Sequence, residues 1–216
     1  MKYSFEEHEI ENADIVDRIM KTDLTPSIAP ITQNINEIFK RISNAGVSNL
    51  FELRKALKDK PKITGFSKKT EIDEHYLVLL KREIEGWIPK KIKLAEFFWI
   101  DQTSIKALNS IQVVTTEDFF DIYQGDKKEL EALNLKQTEL DELFALSNIS
   151  RIRWISPSVA RILRKIGYDT IEKIAQADGK KLSKEFDECN QKNAYFKGKV
   201  GLRDILRVIN EAGMQA

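Results

Sequence analysis

Residues 151–178 read RIRWISPSVARILRKIGYDTIEKIAQAD, and their spacing decides the fold class. Val159, Ile162, Leu163 and Ile166 fall at i, i+3, i+4 and i+7, the spacing of one apolar helix face. Ser156 and Pro157 stand just ahead of them as an N-cap and a first-turn proline. Gly167 has no side chain and suits the left-handed conformation that closes a helix, and Asp169-Thr170 caps the next helix at Ile171. The predicted unit is helix, tight turn, helix.

The pattern recurs upstream. FFWIDQTSIKALNSIQVVTTEDFFDI, from Phe97, aligns at an offset of about 55 residues, a period expected of a repeated structural unit. Trp99 matches Trp154, Ile100 matches Ile155, Asp101 matches Ser156, Leu108 matches Leu163, and Thr115 matches Thr170, while Gln112 replaces the turn glycine. A weaker copy begins with Ile35, Ile38, Phe39 and Ile42, where Gly46 takes the place of Gly167 and Asn49 that of Thr170. On its own, 1–24 reads as a short amphipathic helix carrying Ile10, Ile15, Val16, Ile19 and Met20 among acids.

These residues resemble helix-hairpin-helix modules, in which a Gly-hydrophobic-Gly hairpin is followed by a helix and a Gly-Ile-x-Thr opening. KITGFSKKTEIDEHYLVLLKREIEGW resembles the second hairpin in the C-terminal domain of the bacterial RNA polymerase alpha chain, with Gly65-Phe66-Ser67-Lys68-Lys69 at the hairpin and Ile72, Tyr76, Leu79 and Leu80 as the next buried face. The tail, from Leu182 through Phe186, Asn190 and Asn193 to Ile205 and Ile209, resembles the uncharacterised family called domain of unknown function 4332, over roughly the last third of the chain. The fold implied is all-α: tandem helix-hairpin-helix (SAM-like) modules at 25–94, 95–146 and 147–216 behind the helix of 1–24.

Composition narrows the classes. Charged residues at 32% with 9 Gly and 5 Pro in 216 residues favour a helical chain. A single cysteine, Cys189, excludes an internal disulfide framework, and with only His8 and His75 to help it no metal site or cofactor is implied. No apolar leader or membrane-length run is present, which predicts a cytoplasmic protein with no membrane partner. Net charge is +1, divided as −4 over 1–24, +6 over 25–94, −7 over 95–150 and +6 over 151–216.

The resemblance implies binding to a DNA or RNA backbone, since a glycine turn lets main-chain amides approach phosphate while the next helix dipole and nearby cations add attraction. Such contacts position a strand without reading bases. The candidate residues are Gly65, Ser67, Lys68 and Lys69 at one hairpin and Arg151, Arg153, Trp154, Ser156 and Arg161 at the other. Trp154 is placed either to stack on a base or to fill the space beside its helix, and Tyr195-Phe196-Lys197-Gly198-Lys199 forms a basic, aromatic loop before a last helix whose expected buried face is Leu202, Ile205, Leu206 and Ile209. Asp101 puts a carboxylate at the middle hairpin, so the acidic 95–146 module is expected to repel nucleic acid and, in the rival reading, to engage a protein partner as part of a scaffold. Neither histidine stands in a nucleophilic arrangement and no phosphate loop is present, so no catalytic residue is assigned and a non-enzymatic protein is expected.

Overall fold

Helix ends carry most of the local information in this chain. The computed structural model describes residues 2–215 and shows thirteen α-helices, with two isolated β-bridges, Glu11 with Asn49 and Lys93 with Thr115, and no sheet among those residues. The protein is all-α. It divides into two compact units: residues 5–88, and residues 2–4 together with 89–215.

The first unit contains α1 (Asn12–Lys21), α2 (Ile35–Asn44), α3 (Leu50–Ala56), α4 (Lys60–Thr70) and α5 (Glu74–Glu85), with 3-10 turns at Glu7–Glu9 and Ala29–Thr32. Ile15 and Ile19 of α1 lie in the same core as Phe39, Ile42, Leu53 and Leu80, while Met20 points outward. Residues 5–24 therefore belong to this core. Arg54 ties the unit's edge together, pairing with Glu7 at 2.5 Å and Glu85 at 2.9 Å.

The second unit contains α6 (Gln102–Ser110), α7 (Thr116–Gln124), α8 (Lys128–Ala132), α9 (Gln137–Ile149), α10 (Pro157–Lys165), α11 (Ile171–Ala175), α12 (Gly179–Asn193) and α13 (Leu202–Gly213). One apolar cluster runs from Ile92 to Ala212, so the boundary drawn at 146 falls inside a single core. Helix α9 is its spine: seven of its residues are buried, among them Leu143, Leu146 and Ile149, and α7 and α10 pack on it.

The turns keep one geometry through changes of residue. Gly46, Gln112 and Gly167 all have positive φ (83°, 64° and 91°), and after each the next apolar residue donates its amide to a carbonyl five residues back: Val47 to Ile42, Val113 to Leu108, Tyr168 to Leu163. Asn49, Thr115 and Thr170 then cap α3, α7 and α11. A shorter form puts the positive-φ residue two before the cap position: Glu71-Ile72-Asp73, Asn134-Leu135-Lys136 and Trp154-Ile155-Ser156.

Two expectations are corrected. Gly65-Phe66-Ser67-Lys68-Lys69 is not a turn but lies inside α4, with the two lysines in its last turn. Asp59 caps that helix by accepting from the Lys62 amide, Pro61 sits in its first turn, and Ile63, Phe66 and Thr70 bury one face, so the apolar period overrides the weak helix propensity of glycine. On α13 the buried stripe is Ile205, Val208 and Ala212, whereas Leu202 and Leu206 are 40% and 50% exposed. Both sets fit a helical period, and the choice between them is made by packing against α11 and α12.

Tyr3 fastens the N-terminal residues into the second unit. Its hydroxyl donates to the Lys90 carbonyl at 2.8 Å and lies 2.7 Å from Thr116 Oγ1, and its ring meets Phe120 edge-on. Burial pushes its phenol from 10.0 up to about 12. The fold therefore favours the neutral phenol, and the resulting stability is complete below pH 10.0 and lost as pH rises towards about 12, a loss of about 2–3 kcal/mol. In the first unit Tyr76, donating to the Ile31 carbonyl, is likewise pushed up by burial to about 12.

Two outcomes are expected. Gly65→Ala raises stability by about 0.5–1 kcal/mol in chemical denaturation, because a Cβ there meets nothing within 4 Å and helical alanine retains less chain entropy to lose; a turn glycine at this position would give the opposite sign. Tyr3→Phe lowers neutral-pH stability by about 1–2 kcal/mol and removes the Tyr3 share of the alkaline loss, leaving that of Tyr76, as read from denaturation midpoints across pH 9 to 12.

Candidate functional site

The turn before α10 shows how the fold sorts its arginines. Trp154 takes φ 68°, Ile155 is buried beneath it, and Ser156 accepts the Val159 amide at 3.4 Å to start the helix. Arg151, expected at a phosphate, is instead 8% exposed: its Nε donates to the Tyr3 carbonyl at 2.8 Å, an Nη donates to Asn148 Oδ1 at 3.0 Å, and its guanidinium lies over the Phe120 ring. It is a core residue. Arg153 lies 3.9 Å from the buried Glu211 and covers the Trp154 ring at 4.4 Å. Trp154 is 45% exposed, which decides against the space-filling reading.

Arg161 has a different setting. It stands in the second turn of α10, with its guanidinium 4.0 Å from the centre of the Tyr195 ring, 4.5 Å from Trp99 and 5.9 Å from Phe98. One turn along, Lys165 Nζ donates to the Tyr195 hydroxyl at 2.9 Å and to Asn193 Oδ1 at 3.3 Å. Tyr195 is held in place by its neighbours. Ala194 turns the chain at φ 50°, and Asn190 exchanges two hydrogen bonds with the Phe196 main chain at 2.8 and 2.9 Å.

Charge separates these cations from the rest of the helix. Arg164 is shared between Glu142 at 3.4 Å and Asp169 at 3.7 Å. Among the described residues no carboxylate pairs with Arg161 or Lys165, whose partners are rings, a hydroxyl and an amide. Asp101, two residues from Trp99, caps α6 by accepting from the Thr103 amide and hydroxyl, which hold its carboxyl below the usual range. The Trp99 indole nitrogen is covered without a hydrogen-bond partner among the described residues.

Gly65, Ser67, Lys68 and Lys69 lie in the first unit. Ser67 donates to the Ile72 carbonyl and Lys69 to the Ala45 carbonyl at 2.7 Å, so both tie down the turns that follow α4 and α2. Lys68 is exposed. Beside them, Gly46, Lys55, Lys62, Gly65 and Lys69 line an open depression of about 420 Å³, which Glu52 shares.

A cation stacked between rings attracts anions and aromatic faces. Among the described residues no three His, Cys, Asp or Glu side chains are grouped to hold a metal, and no helix is long and apolar enough to cross a membrane.

The model of the family described as Domain of unknown function (DUF4332) matches residues 100–214. The chain belongs to this family. The DUF4332 match covers α6 to α13, well beyond the last third of the chain, and includes Arg161, Lys165 and Tyr195, while Phe98 and Trp99 lie just ahead of it. No curated protein and no solved structure matches the chain.

Phe98 and Lys165 are site residues that stand outside the set drawn from the sequence. In Phe97-Phe98-Trp99 the outer two are packed and the middle one is 70% exposed, and three aromatics in a row was the available signal.

Arg151→Met is expected to lower stability by about 2 kcal/mol, because it leaves the Tyr3 carbonyl and Asn148 without their donor, and to leave ligand affinity of the folded protein unchanged. Denaturation curves and binding isotherms on the same preparation check both halves.

Proposed function

We propose that this protein is a non-enzymatic nucleic-acid-binding protein that holds backbone phosphate without base specificity, through Arg161 and Lys165 on α10. The observation that carries the reading is the pairing pattern: two cations without carboxylate partners, fixed by Trp99, Tyr195 and Asn193 on a helix whose other arginine, Arg164, is neutralised. Lys197 and Lys199, exposed on the adjoining loop, add positive charge. A rigid cation is a better phosphate ligand than a mobile one because less side-chain entropy is lost on binding.

We further read the repeated turns as those of degenerate helix-hairpin-helix modules. The three short turns, Glu71-Ile72-Asp73, Asn134-Leu135-Lys136 and Trp154-Ile155-Ser156, keep the positive-φ residue and the inward apolar residue of such a hairpin and lack its glycines. Side chains at those places screen the main-chain amides. Binding then passes from the turn to the helix surface.

A protein–protein scaffold is the second reading, supported by the exposed Leu202 and Leu206 on α13 and by the exposed carboxylates of α8, Glu129 and Glu131.

Fluorescence-anisotropy titration of labelled oligonucleotides at rising salt separates the two. Binding is expected to weaken linearly in log–log form, and Arg161→Glu/Lys165→Glu to reduce affinity at least about tenfold and the salt slope by about 1.4–1.8, two phosphate contacts' worth. Lys68→Glu/Lys69→Glu is expected to change affinity less than about twofold. No binding at low salt leaves the scaffold reading.

A further inference from the structure

We infer that the Arg161 surface takes an unpaired nucleic-acid strand in preference to a duplex, with Phe98 as the platform on which a base stacks. The inference rests on the nucleic-acid reading above and names its substrate class.

Phe98 is the most exposed large apolar side chain among the described residues, at 70%. A single exposed phenylalanine is ordinary on a protein surface. This one has particular neighbours. Its ring stands edge-on to Trp99 at 5.3 Å and lies 5.9 Å from the Arg161 guanidinium, which in turn covers Tyr195. Phe97, buried, and Ile100, buried, anchor the chain on either side of the pair. A largely exposed aromatic ring is thus held beside Arg161, which has no carboxylate partner among the described residues.

The duplex and the single strand ask different things of such a surface. Both present phosphates to Arg161 and Lys165. In a duplex the ring faces of the bases are hidden within the stack, so Phe98 would meet only sugar and phosphate. An unpaired strand offers every base face, and stacking on an aromatic side chain tolerates any base, in keeping with contacts that read no sequence. Charge complementarity between the cations and the strand, together with an exposed ring 5.9 Å from the Arg161 guanidinium, selects this occupant over an apolar protein segment, which would leave Arg161 and Lys165 uncompensated.

The test compares labelled oligothymidine with a blunt duplex of mixed sequence and equal length, in one low-salt buffer, using the full chain and its Phe98→Ala and Phe98→Tyr variants. Tighter binding of the strand by about tenfold or more is expected, with Phe98→Ala bringing the strand down to the duplex level, the duplex affinity unchanged, and Phe98→Tyr keeping most of the preference. Equal or tighter duplex binding overturns this inference and leaves the phosphate-binding reading standing. A strand preference that survives Phe98→Ala also overturns it. Failure to bind either probe removes both. Melting curves of the variants accompany the titrations, and because Phe98 is exposed they are expected to superimpose on the parent curve.

Discussion

Short helices joined by tight turns impose one constraint on this protein: each turn must reverse the backbone within two or three residues and still bury an apolar side chain. A residue of positive φ accomplishes the reversal. Where that residue is glycine, as at Gly46 and Gly167, the conformation is free of strain, but Glu71, Gln112, Asn134, Trp154 and Ala194 adopt it with side chains present. Left-handed backbone costs such residues about 1–2 kcal/mol each. Burial of the apolar residue that follows, Ile72, Val113 or Ile155, contributes about 1.5–3 kcal/mol and offsets it. The turn survives the loss of its glycine because packing, not local freedom, holds it.

If these turns are degenerate hairpins, as proposed, the missing glycines bear on where a ligand can sit. On the proposed reading, with side chains at Trp154 and Ser156 where a hairpin would carry glycine, the surface offered to a phosphate is the one built from α10, the segment before α6 and the loop after α12. The arginines divide along the same line. Arg151 is drawn inside, where it joins the N-terminal residues, α7 and α9; Arg153 and Arg164 face carboxylates; Arg161 faces rings. Arginines bound to main chain or carboxylates and one that faces only rings therefore lie close together in the chain.

Much of the fold is legible in the sequence. Caps and closing glycines are local signals, and Ser156, Thr170, Thr115, Asn49 and Gly167 stand where the spacing places them. Three things are not. Gly65 reads as a turn from the resemblance of Gly65-Phe66-Ser67-Lys68-Lys69 to a known hairpin, yet the period through Ile63, Phe66 and Thr70 outweighs it. The buried face of α13 is chosen by α11 and α12, which lie outside any local window. Nothing in the order Arg-Ile-Arg-Trp distinguishes an arginine bound to a distant carbonyl at Tyr3 from one facing solvent. The candidate site divides in the same way: Arg161 can be picked out as a cation on the polar side of its helix, while Phe98 and the pinning role of Asn190 depend on segments brought together only by the fold.

The most direct measurement of the central claim is residue-resolved amide and indole chemical-shift mapping of the isotope-labelled full chain during titration with oligothymidine. The account predicts that the resonances of Phe98, Trp99, Arg161, Lys165 and Tyr195 move together along one saturable isotherm, with the Trp99 indole among them and Gly65 to Lys69 unmoved. Shifts centred on Gly65 to Lys69, or a spectrum that does not change, would contradict it.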